Sequence, residues 1–150
     1  MDNNVSAEIK SIADVMNLNL QIPNYQRPYC WEMENVRQML TDIQYSKESG
    51  RQKYRIGSVI LHQDGDTYNI VDGQQRLTTL SLLRKACGYT CEGKLKFNHE
   101  DSYRHIQENY LFLQTWLDEN CRTTKKDYWE YIAKSCDFVQ IVVTDLSEAF

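Results

Sequence analysis

The chain has 150 residues, of which 41% are apolar and 25% charged, the make-up of one folded domain with a real core. No stretch approaches the roughly 20 consecutive apolar residues of a membrane helix, and the polar start MDNNVSAEIK does not read as a signal peptide. The formal net charge of −4 argues against broad, charge-driven binding to nucleic acid and leaves room only for a local basic site.

In chain order, Ile9, Ile12, Ala13 and Met16 mark one face of a short helix, with Ser6 as its N-cap. Leu18 to Ile22 reads as extended. Pro23 and Pro28 then bracket a stiff, non-helical stretch. A second helix begins near Trp31 and carries the stripe Val36, Met39, Leu40 and Ile43 at i, i+3, i+4, i+7 spacing. Ser46 to Lys53 is polar and reads as a loop. Tyr54–His62 and Tyr68–Val71 form two strands joined by an Asp64-Gly65-Asp66 turn. A third helix follows Gly73 and runs to about Cys87, with Gly88 as its stop. Tyr89 to Phe97 is ambiguous and fits a short hairpin around Glu92-Gly93. A long helix then places Tyr103, Ile106, Tyr110, Leu113 and Leu117 on one side. A shorter helix covers about Lys125 to Ser135, and Phe138 to Val143 is a strand. Leu146 to Phe150 resembles the start of a further helix, so the chain reads as the N-terminal part of a longer protein.

The five cysteines, Cys30, Cys87, Cys91, Cys121 and Cys136, are odd in number and scattered, as expected of reduced thiols in a cytoplasm. Cys87 and Cys91 are a helical turn apart, but no second Cys or His pair completes a zinc site. His62, His99 and His105 have no partners at catalytic spacing and read as surface or structural residues.

The densest chemistry lies in Ile70-Val71-Asp72-Gly73-Gln74-Gln75-Arg76-Leu77-Thr78-Thr79-Leu80. A buried strand ends on an acid, a glycine turns, and a helix begins. The start of a helix carries unpaired N–H groups and about half an elementary positive charge, which suits an anion and above all a phosphate. Arg76 adds a forked, permanent cation. A cation in a first helical turn opposes the macrodipole, so it calls for a compensating phosphate or, alternatively, a structural ion pair. Asp72 reads either as a helix N-cap or as a cleft carboxylate. Gly73 is required under both readings. Gln74 and Gln75 are equally at home as ligands or as ordinary first-turn residues, and Thr78 and Thr79 as packing. Arg27, held between Gln26 and Pro28 on stiff backbone, is placed facing the same pocket. Tyr25, Tyr29 and Trp31 read first as a core aromatic cluster and second as a base-stacking platform.

Two boxes carry a family resemblance. Ile22-Pro23-Asn24-Tyr25-Gln26-Arg27-Pro28-Tyr29-Cys30-Trp31 is similar to one, and Gly57-Ser58-Val59-Ile60-Leu61 followed by the Ile70–Leu80 run is similar to the other. Both belong to the N-terminal domain of GmrSD-type, modification-dependent restriction endonucleases, whose second box is the DGQQR motif. The resemblance is firm over residues 8–90. It implies a ParB/sulfiredoxin-like fold and binding of a nucleoside triphosphate with Mg²⁺, often with hydrolysis, coupled to cleavage of foreign or modified DNA as in phage defence. Carried over position by position, it implies Gln26, Arg27, Gly73, Gln74, Gln75 and Arg76 as nucleotide- or phosphate-binding residues. Asp72 and Arg76 take catalytic roles, Asp72 also holding the metal through water. The family's FexlNxRG segment would begin near Ala149-Phe150, and the HNH nuclease of many relatives lies further downstream. DNA cleavage by these residues alone is therefore not expected. A sulfiredoxin-like chemistry would need a reactive Cys at the turn, where this chain has Gln75.

The expected architecture is α+β: a small mixed sheet flanked by helices, with residues 1–90 as the nucleotide-binding core and 91–150 as a helical extension ending in a strand. The expected function is nucleotide binding, with possible hydrolysis, as the regulatory part of a DNA-defence enzyme that reaches DNA through the full-length protein and its C-terminal domains. The alternative is a non-enzymatic DNA- or protein-interaction module in which the Asp72–Arg76 junction is structural.

Overall fold

The computed structural model describes residues 5–50, 52–89, 100–121 and 123–144. Its elements are β1 (Val5–Ser11), α1 (Ile12–Met16), β2 (Leu20–Gln21), α2 (Met33–Glu48), β3 (Tyr54–Asp64), β4 (Thr67–Asp72), α3 (Gln74–Ala86), α4 (Glu100–Asn120), α5 (Lys125–Ser135) and β5 (Cys136–Val143). The strands form one five-stranded sheet in the order β1-β5-β3-β4-β2. Pairings β1–β5 and β3–β4 are antiparallel, and β3–β5 and β2–β4 are parallel. The sheet is thus mixed and the fold α+β, as the composition of elements in the sequence implies.

The core forms where the inward face of the sheet meets the helices. Val59 and Leu61 of β3, Ile70 of β4 and Phe138 of β5 are buried with Val36, Leu40 and Ile43 of α2, Leu77, Leu80 and Leu83 of α3, and Leu113 of α4. The α2 stripe read from its spacing is buried as expected. Cys87 and Cys136 belong to the same core, where burial pushes both thiols up to about 12 and keeps them protonated. Among the described residues no helix is long and apolar enough to cross a membrane.

The structure departs from the sequence expectation at three places, each for a physical reason. Val5–Ser11 is a strand and not the start of a helix. It pairs with β5 from Val5↔Val143 to Ser11↔Asp137, so the cap is Ser11, whose Oγ accepts from the Asp14 N–H at 3.1 Å, and not Ser6. Val5, Ala7 and Ile9 alternate with polar residues, a period-two signal that the helical spacing of Ile9, Ile12 and Met16 masks. Ser46 to Glu48 continue α2 and are not loop; buried Ser46 lies 3.3 Å from the Tyr131 hydroxyl of α5. In α4 Tyr103 faces solvent, and the upstream half of the inward face is polar: Ser102, His105 and Asn109, followed by Leu113 and Leu117. The expected hairpin at Glu92-Gly93, Cys91, His99 and the expected helix start at Leu146–Phe150 lie outside the described residues.

Two irregularities in the sheet flank one end of α3. The β3–β4 register passes from Leu61↔Ile70 to Ile60↔Asp72, which leaves Val71 as an extra residue. The β3–β5 register passes from Arg55↔Asp137 to Gly57↔Phe138, which leaves Ile56 as another. Bulges of this kind bend a strand and re-aim its neighbours.

Candidate functional site: the cleft at the start of helix α3

β4 ends on Asp72, and α3 begins at Gln74. Between them Gly73 adopts φ 102°, a left-handed conformation, and a Cβ there would lie 2.8 Å from Val59 Cγ1. Only glycine meets both demands. Gly73 is itself the N-cap, and no side chain caps α3, nor does its first turn contain an acid. Of the two alternatives for Asp72, the N-cap is therefore excluded and the cleft carboxylate stands: Gly73 moves the chain one residue on before the helix starts. Asp72 is exposed, and its carboxylate makes no hydrogen bond or ion pair among the described residues.

The two boxes are laced together here through side-chain amides. Gln26 Nε2 donates to the carbonyl of the bulged Val71 at 2.9 Å, supplying a partner where the ladder is interrupted. Gln74 Nε2 donates to the Arg27 carbonyl at 2.7 Å. Gln75 Oε1 accepts from the backbone N–H of Cys30 at 2.9 Å and of Trp31 at 3.1 Å, while its Nε2 donates to the Pro28 carbonyl at 3.4 Å. Gln74 and Gln75 are buried. A chain of hydroxyls continues inward. Asn109 Nδ2 donates to Tyr29 Oη at 2.8 Å and to the Trp31 carbonyl at 2.8 Å. Tyr29 Oη lies 2.7 Å from Thr79 Oγ1, and Thr79 donates its proton to the Gln75 carbonyl at 2.8 Å, so the tyrosine donates to the threonine. Ser102 Oγ accepts from the Tyr29 N–H at 3.0 Å. Thr78 is buried and packs without a hydrogen-bond partner for its hydroxyl among the described residues, whereas Thr79 is back-bonded within the helix.

The product of this lacing is a cleft of about 210 Å³ lined by Gln26, Arg27, Trp31, Asp72, Gly73, Gln74, Gln75 and Arg76. All seven residues singled out in the sequence line it together. They differ in what remains for a ligand. Gln74 Nε2 and both amide atoms of Gln75 are committed to backbone. Arg27 and Arg76 are exposed and form no ion pair among the described residues. The Arg76 guanidinium lies against Gly57, where a Cβ would come within 3.2 Å of Nη1. The resulting surface is cationic: two guanidinium groups and an uncapped helix start, with one carboxylate on the wall.

Of the aromatic residues in the first box, Tyr29 is core, Tyr25 is exposed and Trp31 is half-buried on the cleft wall. His105 is buried, its Nε2 3.3 Å from Glu32 Oε1, a structural position as expected. The sequence reading missed Asn109 and Ser102, which clamp the box from α4. Their signal was available: polar residues at 102, 105 and 109 recur at i, i+3, i+7 in line with Leu113.

Fold and cleft together define an α+β domain built around a strand–glycine–helix junction that presents Arg27 and Arg76. The chain belongs to the family of the GmrSD restriction endonuclease N-terminal domain, whose model matches residues 9–150. No curated protein sequence matches the chain. Membership assigns it to a restriction endonuclease, a DNA-defence protein.

Proposed function

We propose that the cleft binds the phosphates of a nucleoside triphosphate with Mg²⁺, and that the domain serves as the nucleotide-dependent part of a restriction enzyme that engages DNA through the full-length protein. The observation that carries this reading is the convergence of Arg27 and Arg76, both without ion-pair partners among the described residues, on the uncapped start of α3. Open N–H groups, the helix dipole and forked cations all favour phosphate oxygens. The rival reading, a structural hub, accounts for Gln26, Gln74 and Gln75, whose amides hold the first box in place. It leaves the two arginines unexplained.

Asp72 is the residue that would hold Mg²⁺ through water. Its carboxylate lines the cleft with no partner among the described residues, where no group of three metal-ligating side chains occurs. That donor set suits Mg²⁺, which binds through one or two carboxylates together with substrate phosphates. The bound cation would supply charge neutralisation on the phosphate oxygens. For hydrolysis, Arg27 and Arg76 are placed to relieve the negative charge that grows on the transferred phosphoryl group, and the α3 N–H groups to orient it.

Thermal unfolding tests the reading. A ligand at 100 times its Kd stabilises the fold by about 2.7 kcal/mol, a rise in Tm of roughly 5–10 °C for a chain of this size. At least one ribonucleoside triphosphate with Mg²⁺ is expected to give such a shift, and Arg76→Ala to abolish it. Without ligand, Arg76→Ala should change stability by less than about 0.5 kcal/mol, as for an exposed residue without partners. A loss of roughly 3–5 kcal/mol would instead mark Arg76 as half of a buried ion pair and decide for the hub.

A further inference from the structure

Next to the phosphate cleft is a second cavity of about 180 Å³, and Trp31 and Arg76 line both. Its remaining walls come from α2 and β3 and include Gln38, Asp42, Tyr54 and the bulged Ile56. We propose that this second cavity takes the nucleoside of the ligand whose phosphates occupy the first, an inference that rests on the phosphate reading above.

The two cavities have opposite character. The first presents arginines and helix N–H groups. The second presents one carboxylate, Asp42, between aromatic and aliphatic walls. One Asp42 oxygen accepts from Gln38 Nε2 at 2.9 Å, and no described residue donates to the other. A carboxylate repels phosphate and accepts from sugar hydroxyls or from base N–H groups. The flat faces of Trp31 and Tyr54 suit a planar base. A ligand that fills both spaces must therefore be anionic at one end and a planar hydrogen-bond donor at the other, which describes a nucleotide. Arg76 holds the junction. Gly57 has no Cβ, so the guanidinium lies against the strand backbone with one cavity on each side. Asp42 then sets the direction in which the nucleotide enters.

The test compares Mg²⁺–tripolyphosphate, which lacks a nucleoside, with the four Mg²⁺–ribonucleoside triphosphates by calorimetric titration of the chain. At least one nucleotide is expected to bind roughly tenfold tighter than tripolyphosphate. Asp42→Ala should remove that advantage while leaving tripolyphosphate binding equal or slightly stronger, because a like charge near the site is gone. Asp42→Asn, which keeps the side-chain volume and removes the charge, should lower the nucleotide preference in the same direction, and tripolyphosphate binding retained by both variants keeps the test independent of any folding defect at position 42. Equal binding of nucleotides and tripolyphosphate, or a preference that survives Asp42→Ala, would overturn the nucleoside pocket and leave the phosphate cleft standing. Binding of neither ligand would overturn both.

Discussion

At Gly73 one residue satisfies three demands: the left-handed turn, the close approach to Val59 Cγ1 and the capping of α3 without a side chain. A left-handed conformation costs an L-residue about 1–2 kcal/mol, and an extra methyl forced onto a packed side chain about 1–3 kcal/mol. Gly73→Ala should therefore lower stability by roughly 2–5 kcal/mol, read as a fall in the urea midpoint at constant m-value. A neutral outcome would mean that the turn relaxes and that the cleft geometry is softer than its contacts imply. The neighbouring glutamines show how residue type can mislead. Amides in the first turn of a helix are chemically apt ligands, yet Gln74 and Gln75 point at the first box and hydrogen-bond its backbone. The arginines, which the helix dipole disfavours at that end, are the residues left to a ligand.

Between elements, the first box is an irregular segment held by α3 on one side and α4 on the other. Irregular backbone next to a core needs such partners, since each unsatisfied buried polar group costs about 1–3 kcal/mol. Asn109 serves two of them, Tyr29 Oη and the Trp31 carbonyl. Asn109→Ala should cost roughly 1–3 kcal/mol and loosen residues 22–31 ahead of the rest of the fold. Limited chymotrypsin digestion reads this as faster cleavage after exposed Tyr25, with the sheet still intact by circular dichroism. Unchanged cleavage would show that the glutamines alone hold the segment. The two bulges belong to the same scale. Val71 and Ile56 are the extra residues of β4 and β3; Val71 is held by Gln26 beside the cleft at the start of α3, and Ile56 lines the second cavity.

For the whole molecule, the sheet order is decisive. β5 is nearly last in the sequence yet lies between β1 and β3, so it joins the first strand to the centre of the sheet. Residues 1–90 alone would lack it. β1 would lose its partner, and β3 would expose an unpaired edge. A chain ended after residue 90 is therefore expected to be unfolded or aggregated, with no cooperative thermal transition, whereas the 150-residue chain melts in one. A cooperative melt of the shorter chain would show that residues 1–90 are autonomous. Parallel pairing of β3 with β5 across so long a connection also makes the fold one of non-local contacts, which form late in folding.

What the sequence determined alone is local. The α2 stripe, the β3–β4 hairpin, the α5 boundaries and the strand–glycine–helix junction follow from periodicity, turn chemistry and the steric freedom of glycine, all of which act within a few residues. The convergence of Gln26 and Arg27 with Asp72–Arg76 was also legible, through two separated boxes whose resemblance to one family places them together. Tertiary structure decided the rest. Whether Val5–Ser11 is helix or strand depends on β5, over a hundred residues away, because a seven-residue segment of mixed pattern takes the conformation its hydrogen-bond partner offers. Whether a first-turn glutamine faces a ligand or the backbone of another segment depends on what packs beside it. The cavity between α2 and β3 has no sequence signature at all, because Gln38, Asp42, Tyr54 and Ile56 become neighbours only when the helix lies against the strand.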